Sequence, residues 1–160
     1  GEFDIAIIGS PKRKRMTQKI AQFLDTSIFF VKNFNPNWNY KILLCVDDSR
    51  ATKRAVIFST RISKQFSADI TLVTVSKTSF FGKGYRNANL WAERYLKRVN
   101  IAFESKLLSG NPVDVFIEEA QDNHIIIMGK AKGNEIIKFV LGSKPIHTAQ
   151  KANGPVLLVN

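Results

Sequence analysis

The chain has one cysteine, Cys45, and two histidines, His124 and His147. A lone cysteine excludes an internal disulfide. Together with two distant histidines it offers no zinc-ligand spacing. Cys45 lies inside the apolar run Ile42–Val46, which reads as a small buried side chain rather than a reactive thiol and fits a reducing cytoplasm. No apolar run approaches the roughly 20 residues of a membrane-crossing helix. No basic segment, apolar core and small-residue site mark a secretory signal. The first residues, GEF, match a cloning remnant, so a natural chain extending upstream, or a piece cut from a membrane protein, stays open. Acidic residues are also few: 13 Asp and Glu stand against 24 Lys and Arg, for a formal charge of +11. Such an excess suggests anionic company, whether nucleic acid, a lipid surface or a phosphorylated ligand. It is spread along the chain, with one dense cluster at Lys12-Arg13-Lys14-Arg15. That cluster reads either as a solvated loop and helix start or as a contact to phosphates or acidic headgroups. RNA-recognition and zinc-finger signatures are absent, so specific nucleic-acid binding is not expected.

What is present is an ordered alternation of apolar runs and amphipathic stretches. At 160 residues the chain is long enough for one ordinary core. Lys41–Val46 is a strand candidate ending in Asp47-Asp48-Ser49, with Ser49 read as the cap of the helix that follows. That helix carries Ala51, Ala55, Phe58, Ile62 and Phe66 on one face. Asp69–Val75 is the next strand. Residues 77–87 read as a loop, and Ala88–Glu104 as a helix with Ala92, Leu96, Val99 and Phe103 on one face. Leu107-Leu108 is a short strand. Asn111-Pro112 then supplies a cap and a first-turn proline for a third helix. Ile125–Met128 is a buried strand, followed by a glycine and lysine turn at Gly129, Lys130, Lys132 and Gly133, a helix-like stretch Ile136–Leu141, and Gly142-Ser143. A last helix, which Ser143 could cap with Pro145 in its first turn, leads to the closing strand Pro155–Val159.

From residue 41 the order is βαβαβαβαβ. Helical crossovers of this length imply parallel pairing, and near-continuous apolar strands imply burial on both faces. The predicted fold is therefore α/β, a doubly wound five-stranded parallel sheet with an N-terminal βαβ-like extension. Such sheets bind ligands at the carboxyl ends of their strands. Asp47, Val75 and Gly129–Gly133 all lie at such ends. A strand leading through a glycine turn to a helix start can hold a phosphate on its N–H groups. Asp47 can equally cap its helix, and Ser143 can cap without binding an anion. His124 and His147 read as structural or exposed residues. The extension has an echo: DIAIIGS at 4–10 resembles HIIIMGK at 124–130, and residues 17–31 share a helix-turn-strand pattern with 147–159. Residues 1–33 thus read as the partial tail of an upstream unit, 34–40 (FNPNWNY) as a linker anchored by Trp38, and 41–160 as the main domain.

KILLCVDDS at 41–49, TLVTV at 71–75, IIIMG at 125–129, Gly142-Ser143 and PVLLV at 155–159 together resemble the universal stress protein family. The resemblance implies an adenine-nucleotide-binding α/β fold. It implies an adenosine contact for Asp47, an adenine contact for Val75, and phosphate contacts for Gly129, Gly142 and Ser143, with Lys130, Lys132 and Gly133 in the same loop. In ATP-binding members that loop reads Gly-x-x-Gly, nine residues, then Gly-Ser or Gly-Thr. Here Gly129 and Gly142 keep the separation, but Lys132 holds the second glycine position and Gly133 follows one place late. A lysine there could clash with the ligand or pair with a phosphate. The implied ligand is ATP or another adenine nucleotide, with or without magnesium, in a regulatory, stress-related domain of a cytoplasmic protein or of the cytoplasmic part of a membrane protein. The implied partners are a second copy in a homodimer, an upstream domain or a membrane protein. The alternative is a degenerate module that only dimerises or contacts a partner. No Ser/His/Asp set, paired carboxylates, Walker A motif or Ser-Gly-Gly-x-Asp-Ser loop is present, so any turnover is expected to be limited to slow ATP hydrolysis.

Overall fold

The computed structural model describes residues 5–9, 20, 24–78, 80–130 and 143–160. Seven strands are present among them: β1 (Ile5–Gly9), β2 (Ser27–Val31), β3 (Lys41–Val46), β4 (Ile70–Ser76), β5 (Phe103–Ser109), β6 (His124–Gly129) and β7 (Val156–Val159). Four helices accompany them: α1 (Ala51–Phe66), α2 (Lys83–Arg98), α3 (Pro112–Glu119) and α4 (Ser143–Lys151). The strands form one sheet in the order β1-β2-β7-β6-β3-β4-β5. The block β7-β6-β3-β4-β5 is parallel throughout. Its order reverses between β3 and β6, the switch point of a doubly wound sheet.

The expectation of a five-stranded parallel sheet is corrected at one edge. β2 pairs with β7 antiparallel, Phe29 opposite Leu157, and β1 adds to β2 in parallel. The sheet is thereby seven-stranded and mixed. Side-chain bonds fasten this edge: Lys32 Nζ donates to the Ala152 carbonyl (2.6 Å), Asn33 Nδ2 to Asn153 (2.8 Å), Asn160 Nδ2 to Asp25 (2.8 Å), and Ser27 Oγ accepts the Asn160 N–H (3.1 Å).

The central strands are buried on both faces, which is why they read as unbroken apolar runs. Leu43, Cys45, Val73, Val75, Ile126 and Met128 point to the side of Phe116 and Ala149. Ile42, Leu44, Val46, Leu72, Ile127 and Leu157 point to the side of Ala55, Val56, Ala92 and Leu96. Fully burying one such aliphatic side chain contributes about 1.5–3 kcal/mol, so these two layers dominate the stability of the fold.

Three expected boundaries shift. α2 begins at Lys83, within the expected loop, and ends at Arg98. Asn100 adopts a left-handed φ of 57°, and the Ile101 N–H returns to the Leu96 carbonyl, a helix-ending geometry. Phe103, placed by its spacing on the helix, opens β5 instead. Asn111 caps α3 as expected, its Oδ1 accepting the Val113 N–H at 3.1 Å. Ser49 does not cap α1; Arg50 occupies the cap position and no side chain bonds there. Phe66, expected on the packed face of α1, is 72% exposed. In the linker, Phe34 stacks on Tyr40 with ring centroids 4.8 Å apart, and Trp38 tilts against Tyr40 at 6.2 Å.

Candidate functional site

The carboxyl ends of β3 and β6 lie side by side at the switch point. Cys45 pairs with Met128, so Val46 and Asp47 run out of β3 beside Gly129 and Lys130. Asp47 is half-buried. Its Oδ1 accepts the Ser49 N–H (3.0 Å) and the Thr52 hydroxyl (2.8 Å), while its own N–H donates to Thr52 Oγ1 (3.1 Å). The Asp47–Thr52 pair therefore fastens the turn into α1, in place of the cap expected from Ser49. Both bonds fall on Oδ1. Among the described residues, Oδ2 takes none.

Gly129 is set by packing. A Cβ there would stand 2.5 Å from the Ala51 carbonyl carbon and 2.6 Å from its oxygen. The first residue of α1 is thus pressed directly onto the end of β6, and only glycine leaves room. Val75 is buried near the end of β4, on the side of Phe116. Lys130 is buried, and its ammonium donates to the carbonyls of Leu24 and Thr26, the latter at 3.4 Å. Burial pulls its pKa below the usual lysine value, with the charge of Asp25 acting the other way. Lys130 therefore bridges β6 to the segment before β2. Ser143 is the first residue of α4, and its side chain lies outside the described residues. So do Lys132, Gly133, Gly142, the stretch Ile136–Leu141 and the basic cluster Lys12–Arg15.

Two residues that the sequence did not single out belong to this end of the sheet. Thr52 is 2% exposed and holds Asp47 from both sides of its Oγ1. Arg54 reaches from α1 to the Lys130 carbonyl (3.2 Å from Nη2), and its buried Nε has no hydrogen-bond partner among the described residues. Asp47 two residues before Ser49 was a signal for a side-chain-closed turn, but nothing in that pattern pointed to Thr52. Nothing in the sequence pattern marked Arg54.

Next to the crevice, Asp48, Lys53, Gly84, Asn87 and Trp91 line a separate groove of about 340 Å³ between the starts of α1 and α2. There the Lys53 ammonium sits 5.4 Å from the Trp91 ring centroid. Cys45 is fully enclosed. Burial, and then the charge of Asp47, push its thiol well above the ordinary value, as fits a packed core side chain rather than a reactive thiolate. Among the described residues, no group of His, Cys, Asp and Glu could hold a metal ion.

The universal stress protein family model matches residues 39–160, more than half of the chain. The chain belongs to the universal stress protein family. A universal stress protein from Archaeoglobus fulgidus DSM 4304 matches 98% of the chain at 14% identity and a TM-score of 0.74. This chain spans only 60% of that protein's length. A universal stress protein solved in complex with cyclic AMP matches 76% of the chain and 97% of its own, at 21% identity and a TM-score of 0.60. An Arabidopsis thaliana family protein with AMP bound matches 75% of the chain and 90% of its own, at 16% identity and a TM-score of 0.53. No curated protein matches the chain. Identities this low establish the shared fold. No described helix is long and apolar enough to cross a membrane.

Proposed function

We propose that this chain is a regulatory adenine-nucleotide-binding domain, with ATP or a related nucleotide in the crevice between the ends of β3 and β6. The observation that carries the reading is that Asp47 and Gly129 leave neighbouring parallel strands side by side at the switch point, where a doubly wound sheet opens. The Asp47 Oδ2 would accept from the ribose or the adenine amino group, and the Val75 region would meet the base. Gly129, Lys132, Gly133, Gly142 and Ser143 would form the phosphate side, with Lys130 anchoring the start of their loop through the Leu24, Thr26 and Val159 carbonyls. Arg54, whose Nε has no partner among the described residues beside Lys130, and the net charge of +11 favour a polyanionic ligand. The family structures solved with cyclic AMP and AMP support the ligand class. Magnesium, where it accompanies the nucleotide, would be held by phosphate oxygens and water rather than by a carboxylate cage; the described residues offer no such cage. In this reading the domain acts by its bound state, with at most slow hydrolysis.

In this reading the protein works in the cytoplasm, or as the cytoplasmic part of a membrane protein, and residues 1–33 are the tail of a second, upstream unit of the same kind. Two copies would associate either by surfaces other than β7, whose edge β2 already occupies, or by exchanging β1 and β2. Calorimetric titration with ATP, ADP, AMP and cyclic AMP tests the ligand. Binding that is lost in Asp47→Ala supports the reading; no heat from any of the four at millimolar concentration refutes it.

One observation favours a second reading, a module without nucleotide that serves only as a contact domain. The Lys130 ammonium is committed to the Leu24 and Thr26 carbonyls, and Oδ1 of Asp47 is committed to its turn. Silence in the same titration selects this reading.

A further inference from the structure

Two helices carry the same outward pattern. On α1 and its cap position, Arg50, Lys53, Ile57, Arg61 and Lys64 follow one another at steps of three, four, four and three residues. On α2, Lys83, Arg86, Leu90, Arg94 and Lys97 repeat those steps. At about 3.6 residues per turn, each row falls within an arc of about 80° and runs about 21 Å along its helix. Each arc lies opposite the packed one, where Ser59 and Ser63 are buried on α1 and Ala92 and Leu96 on α2. All eight cations are exposed, and one aliphatic residue stands at the centre of each row. The rows lie side by side, because both helices pack on the same face of the sheet. Between them the Lys53 ammonium meets Trp91, which stacks on Tyr95 with ring centroids 5.4 Å apart.

Nothing on this face balances the charge. Residues 50–66 contain no acid, and the one acid of α2, Glu93, is bonded to Asn89 (2.9 Å) and Ser105 (2.7 Å). Among the described residues, none of the eight cations makes an ion pair. The opposite face differs. There α3 carries Asp114, Glu118 and Glu119, and the cations beside it are paired, Lys151 with Asp114 and Lys106 with Glu119, both at 3.0 Å. Like charges one turn apart repel and weaken a helix. Stability of the fold therefore does not account for two such rows, whereas an anionic surface outside the molecule does.

What stands between the cations selects that surface. A phosphate backbone needs only the charges, and bases need free rings to stack on. Trp91 and Tyr95 are half-buried, set against each other and against Lys53 and Arg98. What the face exposes instead is apolar. Leu90 is 46% exposed at the centre of its row. Phe80, three residues before α2, is 75% exposed, while its carbonyl is held by the Ser76 and Thr78 hydroxyls (3.0 and 3.1 Å). Cations around outward aliphatic and phenyl groups match the boundary between headgroups and acyl chains. We infer that the α1–α2 face docks on an anionic phospholipid membrane, with the eight cations against the headgroups and Leu90 and Phe80 entering the acyl boundary. The ends of β3 and β6 then face sideways along the membrane and stay open. This surface is separate from the crevice and does not depend on what the crevice binds.

Co-sedimentation of the 160-residue chain with phosphatidylcholine vesicles, with and without phosphatidylserine, tests the inference. The chain binds only the vesicles that contain phosphatidylserine. Arg86→Gln/Arg94→Gln lowers the partition coefficient at least about tenfold. Leu90→Ser, which leaves the charge unchanged, lowers it a few-fold. Lys106→Gln/Lys151→Gln removes the same charge from the opposite face, beyond the Debye length of about 10 Å at about 0.1 M salt, and changes it less than about twofold. Unchanged melting by circular dichroism shows that each variant is folded. No binding to phosphatidylserine vesicles by the native chain overturns the inference. So does an equal loss in Lys106→Gln/Lys151→Gln, since net charge alone then suffices. Binding of a random-sequence oligonucleotide that Arg86→Gln/Arg94→Gln abolishes, together with vesicle binding indifferent to Leu90→Ser, overturns the lipid reading in favour of nucleic acid.

Discussion

Replacing Gly129 with alanine isolates the contact that joins the first helix to the switch point. The added Cβ would lie 2.5 Å from the Ala51 carbonyl carbon and 2.7 Å from its Cβ. Carbon atoms in contact sit about 3.5–4.0 Å apart, so α1 must retreat by about 1 Å. Inserting a methyl group into a packed site costs about 1–3 kcal/mol. Against this, alanine restrains the unfolded chain more than glycine does, contributing about 0.5–1 kcal/mol in a strand. Gly9 supplies the control. It also lies in a strand, but nothing stands within 4 Å of its Cβ position. Gly9→Ala therefore gains the entropy without the clash. Subtracting the two variants leaves the packing cost alone, about 1–3 kcal/mol, or roughly 2–4 °C in Tm per kcal/mol for a chain of this size. Thermal unfolding by circular dichroism measures it. If Gly129→Ala melts at or above Gly9→Ala, Gly129 is not required by helix packing, and its glycine must be explained by the ligand alone.

Further outcomes follow from individual bonds. Thr52→Val keeps the shape but removes the hydroxyl between the Asp47 carboxylate and N–H; urea unfolding should show a loss of about 1–3 kcal/mol, since both Asp47 groups lose a partner in a half-buried site. Asn111→Ala removes the cap of α3 and should cost about 1 kcal/mol in the same assay, whereas Asn111→Asp should cost much less. His124 is buried, with Nδ1 accepting the Gln121 N–H at 2.9 Å. Burial first, and then the charge of Lys41, lower its pKa from the ordinary value. The unfolded chain then binds the proton more readily, so stability from this group is present above about pH 6.5 and is lost as pH falls through the lower folded value. Urea midpoints at pH 5 and pH 7.5 should differ more for the native chain than for His124→Gln; equal differences would show that His124 titrates without consequence.

Much of the fold follows from local physics. Lys41–Val46, Ile70–Ser76 and His124–Gly129 are apolar runs too short for helices and flanked by turn residues, so alternation with amphipathic helices dictated a buried parallel sheet. The Asn111-Pro112 pair fixed the start of α3, because the cap and the missing N–H act within one turn. The switch-point location of Asp47 and Gly129 was legible for the same reason: it depends only on strand order. Where local signals tied, they failed. Val99 and Phe103 continue the helical spacing of Leu96, yet the left-handed Asn100 ends the helix and Phe103 enters β5.

Contacts between distant segments were decided by the tertiary structure. No pattern in β2 or β7 says that they pair antiparallel, because both are apolar runs that any edge would accept. Lys130 reads as a phosphate ligand in a glycine and lysine turn; folding brings the Leu24 and Thr26 carbonyls, more than 100 residues away in the chain, within reach of its ammonium. Phe66 keeps the helical spacing of a core residue, but the surface opposite it is an open trough. Gly129 reads as a loop glycine suited to a phosphate, and only the approach of Ala51 reveals the packing that requires it. Sequence periodicity determined which faces are apolar. What each face meets depends on the long-range arrangement of the sheet, which periodicity does not encode.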